Sequence, residues 1–387
     1  MRIASFPLRS RKIAVALALL CTSTAVVADQ PAIPALSAVA GHAAMEHIAP
    51  WHSRFGRTRP VIAVIGNNSG TELVDFVIPY GVLMASGAAD VITVATHDGA
   101  LTMRPALRLQ AQATARDFNA RYPDGADYVI VPAMVDRNDP VLLGWIAGQS
   151  RRGATTVSIC DGALVVANAG VSEGHVATAH WATESLRMQQ YPGTHWVKNT
   201  RYVADGRVVS SAGISAAMPT SLALVEAIAG RARAAAVASE LGVADWGTQH
   251  DSDAFQPRLG VNIGGFAATN VTNHWFHSMQ HIGVPVTAGV DEIALAITAD
   301  AYSRTGRSHA VALAESKAPV TTRHGLVLLP DRMRDDTAPA LDAVLPALQP
   351  EPSARVFDTV LASIADRYGR NTAFGVALDF EYPGFQH

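Results

Sequence analysis

The sequence predicts a three-layer α/β/α sandwich on a mostly parallel sheet, and three observations carry that expectation. Short strand-like runs alternate with helix-like runs along residues 58–250, the order that crossover helices on a parallel sheet produce. The strand-like runs are apolar at consecutive positions, as in RPVIAVIGNN (59–68), which marks strands buried on both faces. The chain has 387 residues, 49% hydrophobic and 16% charged, enough for one large domain or two ordinary ones.

The elements follow in order. After the strand at 59–68, ELVDFVIPYGVLMASGA (72–88) has helical spacing at Leu73, Val77, Tyr80 and Met84 and ends near Gly87. DVITVATHDG (90–99) reads as strand then turn, ADYVIVPAM (126–134) as a strand and PVLLGWIAGQSRRG (140–153) as a helix. TTVSIC (155–160) is a strand, and the small-residue helix GALVVANAG begins at once after it, ending at Gly170. VVSSAG (208–213) and MPTSLALVEAIAGRARAAAVASELG (218–242) close the set.

The N-terminus reads as an export signal. Arg2, Arg9, Arg11 and Lys12 precede the apolar run IAVALALLCTSTAVVA, and Val26-Val27-Ala28 offers a cleavage point before Asp29. The run is too short and too rich in Ser and Thr for a comfortable transmembrane helix. The expectation is a signal peptide over 1–28, a poorly ordered lead-in over 29–57, and a periplasmic or secreted protein with no stable membrane anchor. Cleavage removes Cys21 and leaves Cys160 without an intrachain disulfide partner. A lone thiol in an exported protein points to function; a small buried residue is the plain alternative. A net charge of −3 with scattered Lys and Arg argues against a nucleic-acid partner.

The sequence also repeats. Residues 72–109 fall without a gap on 291–328 when shifted by 219, so that Gly87 meets Gly306, Arg104 meets Arg323, and Leu107 and Leu109 meet Leu326 and Leu328. A second match, 227–242 on 363–378, has a shift of 136, which makes the second copy about 83 residues shorter and removes any counterpart of Cys160. The expected organisation is a complete domain over 58–250 and a shortened, degenerate copy over 260–387. That copy is expected to take the place of a partner subunit, leaving a monomer or weak homodimer.

Cys160 stands at a strand-to-helix turn, where a side chain is pushed out of the sheet and the helix N-terminus favours the thiolate. Gly162 is expected to leave room for backbone N–H groups to serve as an oxyanion hole. His274, His277 and His281 have i, i+3 and i+7 spacing for one helix face, but no Cys or acidic ligand run accompanies them, so no metal site is assigned. No Walker loop and no GxGxxG after a strand is present, and no cofactor is assigned.

Three blocks, ELVDFVIPYGVL, SICDGALVVANAGVSEGHVATAHW and DGRVVSSAGISAAMPTSLALVEAIAG, make residues 58–250 resemble the DJ-1/PfpI family of the class I glutamine-amidotransferase-like superfamily. The nearest likeness is to the amidase-like domains of AraC-type regulators and to isonitrile hydratases. The resemblance implies the flavodoxin-like form of the sandwich, with Cys160 at the nucleophile position, Asp75 beside the sulfur and His180 approaching the site. It implies a cysteine-dependent hydrolase or hydratase acting on a small amide, nitrile-like or carbonyl compound, or else a non-catalytic small-molecule sensor. Two departures bear on the choice. Asp161 follows the cysteine where the family has a small or hydroxyl residue, and a carboxylate there disfavours the thiolate. Ile78-Pro79 stands where the family has Gly-Pro.

Overall fold

Every residue of β1 (Val61–Gly66) is buried, and its two faces look into two separate clusters. Val61, Ala63 and Ile65 enter one, Ile62 and Val64 the other, as the two-residue period of a strand requires. β1 is thus the middle layer of a sandwich in the computed structural model, which describes residues 45–336 and 340–385. The expected signal peptide and residues 29–44 lie outside the described residues.

β2 (Thr71–Glu72) leads into α1 (Leu73–Ser86), which stops where Gly87 adopts a left-handed conformation, φ 60°. Next come β3 (Asp90–Ala95), β4 (Ala100–Arg104), β5 (Arg108–Gln110), β6 (Ala113–Thr114), α2 (Ala115–Arg121) and β7 (Tyr128–Val131). α3 (Pro140–Arg151) starts with Pro at its first position and with the Asp139 carboxylate accepting from the N–H groups of Val141 and Leu142. β8 (Thr155–Ser158), α4 (Gly162–Asn168), β9 (Val176–Ala177), α5 (Glu184–Gln190), β10 (His195–Trp196), β11 (Tyr202–Asp205) and β12 (Val208–Ser211) follow. The expected run over 218–242 is two helices, α6 (Ala217–Ala229) and α7 (Arg231–Leu241), because Gly230 breaks it at φ 82°, ψ 162°.

The main sheet has the order β11-β12-β8-β7-β1-β3-β6, parallel except for β11 against β12. From β1 the chain builds one way through β3 and β6, then the other way through β7 and β8. The strand order therefore reverses at β1 and β7, and a crevice opens outside their carboxyl ends. Asp75 follows β1, Ala133 follows β7 and Cys160 follows β8, so the topology brings all three to that end.

The part of the lead-in expected to be loose is held in place where it is described. Ile48 is buried, the Trp51 N–H donates to Ala227 O at 2.9 Å, and Arg57 pairs with buried Asp127 at 2.7 Å.

Beyond α7 a helical segment comprises α8 (Ile263–Ala267), a π-helical turn (Ala268–Thr272) and α9 (Asn273–Phe276). His274 lies on α9, His277 is already extended and His281 belongs to β13 (Gln280–Pro285). The three histidines do not share a helix face, because the helix ends at Phe276. The chain continues through α10 (Glu292–Ser303), β14 (Ser308–Ala314), β15 (Val320–Thr321), β16 (Val327–Leu328), β17 (Arg332–Met333), β18 (Ala343–Val344), α11 (Val356–Tyr368) and α12 (Arg370–Asp379). A second, all-parallel sheet has the order β17-β14-β13-β18.

Strand pairs recur 219 residues apart: Val94 opposite Ala113 and Leu313 opposite Arg332, Thr102 opposite Arg108 and Thr321 opposite Val327. The helix pairs α6–α7 and α11–α12 correspond at a shift of 139, set by the junction glycines Gly230 and Gly369 with φ 82° and 91°. β5 and β16 pair antiparallel with Leu109 opposite Leu328, residues that are themselves 219 apart. This pairing joins both segments in one five-stranded sheet, β15-β16-β5-β4-β2. α1 packs on α10 so closely that a Cβ on Gly81 would lie 2.7 Å from Ile293 Cγ1.

Candidate functional site

Cys160 has φ 55°, a left-handed conformation that an L-residue other than Gly, Asn or Asp rarely holds. Neighbouring bonds fix it. Its N–H donates to Ser211 Oγ at 3.2 Å, and the N–H of Asp161 hydrogen-bonds the thiol sulfur. Gly162 follows because nothing larger fits: a Cβ there would lie 1.9 Å from the carbonyl oxygen of Val131. Its N–H donates to Ile159 O at 2.8 Å. Gly162 therefore seats the start of α4 against β7 and does not offer its own N–H to an oxyanion; the donor at the sulfur is Asp161 N–H.

Asp75 lies in the first turn of α1 and is 0% exposed. Its Oδ2 accepts from the Ala133 N–H at 3.2 Å, while Oδ1 has no hydrogen-bond partner among the described residues. Burial pushes this carboxyl well above the usual range, and Glu72 pushes it further; the Ala133 N–H and Arg304 oppose. Burial and Glu72 both favour its protonated form. Pro79 in the same helix lacks the N–H that would otherwise bond the carbonyl of Asp75.

The thiol of Cys160 behaves opposite to the expectation from its helix position. Burial raises its pKa well above the ordinary value, followed by Asp75, Asp161 and Glu72, and the single N–H from Asp161 does not offset them. Only 6% of the residue is exposed, so desolvation and three carboxylates outweigh a seven-residue helix. Asp161 is not the chief cause. Its Oδ1 accepts from Thr183 Oγ1 at 2.7 Å. Burial raises its own pKa while His180, Thr183 and Arg187 oppose.

His180 is buried with both ring nitrogens in use. Nδ1 accepts from the Ala182 N–H at 3.2 Å and Nε2 lies 2.9 Å from the carbonyl oxygen of Asp379, so the neutral ring carries its proton on Nε2. Burial disfavours its charged form, but Glu381, Asp161 and Asp379 raise its pKa overall. No ring nitrogen is left for the thiol. The structure thus gathers Asp75, Asp161 and Glu72 electrostatically around Cys160 and holds His180 to the C-terminal segment instead.

Sequence reasoning missed the groups that the second segment contributes. Arg304, at the end of α10, binds Glu72 of the first segment, Asp300 one turn before it, and Asp379 at the end of α12. Burial, helped by Glu72, holds Asp300 well above the usual carboxylate range against the pull of Arg304. Glu381, 0% exposed with φ 52°, accepts from the Trp181 N–H at 3.0 Å and pairs with His250 at 2.6 Å. Burial raises its pKa, but His250, His180 and the Trp181 N–H bring it below the ordinary value. Only Glu72 had a signal, its place in the ELVDF block; Arg304 and Glu381 are brought in by tertiary packing across more than 200 residues. Among the described residues, no group of three or more His, Cys, Asp or Glu is arranged to hold a metal ion. No described helix is long and apolar enough to cross a membrane.

Comparison with known proteins matches this architecture. Residues 61–227 match the DJ-1/PfpI family. An isonitrile hydratase from Pseudomonas putida is 30% identical over 163 residues, which cover 41% of this chain and 68% of that protein. The HTH-type transcriptional regulator CdhR of Pseudomonas aeruginosa is 33% identical over 86 residues, 22% of this chain and 25% of that one. Among solved structures, Drosophila melanogaster DJ-1beta is 22% identical with a TM-score of 0.44, covering 49% of this chain and all of that one. With residues 61–227, which carry Asp75 and Cys160, matching the family, and a hydratase relative 30% identical and covered over 68% of its length, this chain belongs to the DJ-1/PfpI family.

Proposed function

We propose that this protein is an exported cysteine-dependent hydratase or hydrolase of small carbon–nitrogen compounds, nitrile-like or amide. The observation that carries the reading is the placing of a strained, buried Cys160 thiol near a fully buried Asp75 that keeps one oxygen free and whose protonated form burial favours. Burial favours the protonated form of both groups, so in the proposal the chemistry does not need a free thiolate. Sγ attacks the electron-poor carbon, the thiol proton passes to one oxygen of Asp75, and the proton on the other oxygen goes to the substrate. The sum is addition of S–H across the multiple bond. Water then adds to the thioimidate, the C–S bond breaks, and the proton returns to sulfur, leaving the amide. The hydratase relative supports the reaction class, and the export reading rests on residues 1–28.

The second segment completes this site in the proposal. It acts as a shortened copy in the place of a partner subunit, supplying Arg304 to Glu72 and closing residues 379–381 over His180. That closure favours a second reading, a sensor that retained the fold without turnover: Cys160 is 6% exposed and both His180 nitrogens are engaged. Assaying a panel of small isonitriles, nitriles and amides separates the two. The enzyme reading expects product from the wild-type chain and at least about a hundredfold less from Cys160→Ser. Ligand binding that is equal in both chains, with no product from either, would establish the sensor.

A further inference from the structure

The helical segment between the two sheets is inside out. Its inward positions are polar or small: Asn262, Gly265, Thr269 and Asn273 are buried. Its outward positions are apolar, with Ile263 40%, Val271 52%, Trp275 70% and Phe276 75% exposed, and Leu259 just ahead of it 88% exposed. An amphipathic helix in a globular protein normally turns the other way. This one cannot rotate to correct itself. Asn273 Nδ2 donates to Thr305 O at 2.7 Å and to Thr372 Oγ1 at 3.0 Å. A Cβ on Gly375 would meet Gly265 O at 2.4 Å. The inward polar face is locked by hydrogen bonds and backbone contact, and the apolar face is presented by construction.

Clustered exposed aromatic and aliphatic side chains of this kind mark an interaction surface. We infer that this face docks the protein reversibly on an anionic phospholipid bilayer. Charge selects that occupant. No Asp or Glu occurs between Asp253 and Asp291, while Arg258 lies in the interval. Beside α9 an open cavity of about 590 Å³ is lined by His277, Arg307 and Arg370 and by the first residues of α12, a place where phosphate headgroups meet cations and helix N–H groups. A second copy of the chain fits less well, because an isologous contact here would set these cations against their own equivalents. The segment from 263 to 276 is too short to span a bilayer. Lying in the interface, with Trp275 and Phe276 at the acyl boundary and the cations among the headgroups, satisfies both halves of its surface. This inference does not depend on the reaction proposed for Cys160.

Vesicle co-sedimentation of the full chain tests it, with Trp275→Ser/Phe276→Ser and Arg258→Glu as variants. All three positions are exposed, so the variants are expected to fold, and circular dichroism confirms that they do. The wild type is expected to bind vesicles holding about 30% phosphatidylglycerol at about 0.05 M salt and to release at about 0.5 M. Binding to pure phosphatidylcholine is expected to be weaker. The double variant should lose about tenfold or more in partitioning, and Arg258→Glu should lose binding only on the anionic vesicles. Binding that is undiminished in the double variant would place any membrane contact elsewhere, in residues 1–44 for instance, and overturn the inference. So would the absence of vesicle binding, or self-association of the wild type that the double variant abolishes, which would make the face a protein interface.

Discussion

Replacing Arg304 with Met removes the cation that the second segment lends to the first. The Arg304 side chain is 19% exposed; of its partners, Asp300 is 0% exposed, Glu72 14% and Asp379 42%. Breaking a buried ion pair from one side typically costs about 3–5 kcal/mol, because the remaining charge is left without compensation. Asp379 can turn to water, which limits the loss, so the expected destabilisation is about 3 kcal/mol at neutral pH. The pH dependence follows from the shifts. In the wild type, Arg304 draws Asp379 below its ordinary value against burial, so the stability it contributes is present at neutral pH and lost on acidification. In the variant burial is no longer opposed by Arg304, so the pKa of Asp379 moves up and that of Asp300 stays above the unfolded value. The folded state then binds more protons than the unfolded state, and stability falls as pH rises. The gap between the two chains should narrow from about pH 7.5 to about pH 5. Urea unfolding followed by circular dichroism measures it. A loss below about 1 kcal/mol, or a gap that does not change with pH, would refute the reasoning. Met is close to Arg in length, so packing loss should be small.

Three further outcomes follow from the geometry. Gly162→Ala should destabilise by at least about 3 kcal/mol in urea unfolding, since its Cβ meets the Val131 carbonyl at 1.9 Å; a near-neutral result would mean that α4 can shift off β7. Glu381→Gln removes the charge that raises the pKa of His180. Because a His with a raised folded pKa stabilises most below its unfolded value and loses that contribution as pH rises, the variant should lack this acid-side gain, and imidazole NMR should show His180 titrating lower; an unmoved resonance would contradict it. Residues 58–250 expressed alone should aggregate or self-associate, because Leu109 and the Gly81 face of α1 lose their cover from Leu328 and Ile293. A fragment as soluble and monomeric as the full chain would sink the partner-subunit reading.

Much of the fold was legible because local signals agreed with the global one. VIAVIG is apolar at every position and lies at the centre of the sheet. The helix beginning after Glu72 ends at Gly87 as its spacing required. The position of Cys160 between β8 and α4 was legible for the same reason. Its electrostatics were not, because a helix N-terminus is visible in sequence whereas burial and the nearness of Glu72 and Asp75 are tertiary facts. Gly162 was recognised as needing space, but the partner that takes it, the Val131 carbonyl, belongs to a strand some thirty residues earlier in the chain. Two strand pairings recur at the 219-residue spacing that the ungapped match suggested. Ala-rich helices resemble each other in sequence at many shifts, whereas Gly230 and Gly369 mark the two helix junctions in the backbone. Asp161 was expected to disfavour the thiolate, and it does raise the pKa of Cys160, though burial and Asp75 raise it more.

The central claim, that a neutral Cys160 thiol works through a proton held on Asp75, is tested most directly by the pH profile of Cys160 alkylation in the wild type, Asp75→Asn and Asp161→Thr. The account predicts a wild-type thiol that titrates above the ordinary value, because burial, then Asp75, then Asp161 raise it. Asp75→Asn should bring the titration down clearly, and Asp161→Thr should bring it down less. A wild-type thiol that titrates below the ordinary value, or one that Asp75→Asn leaves unmoved, would contradict it.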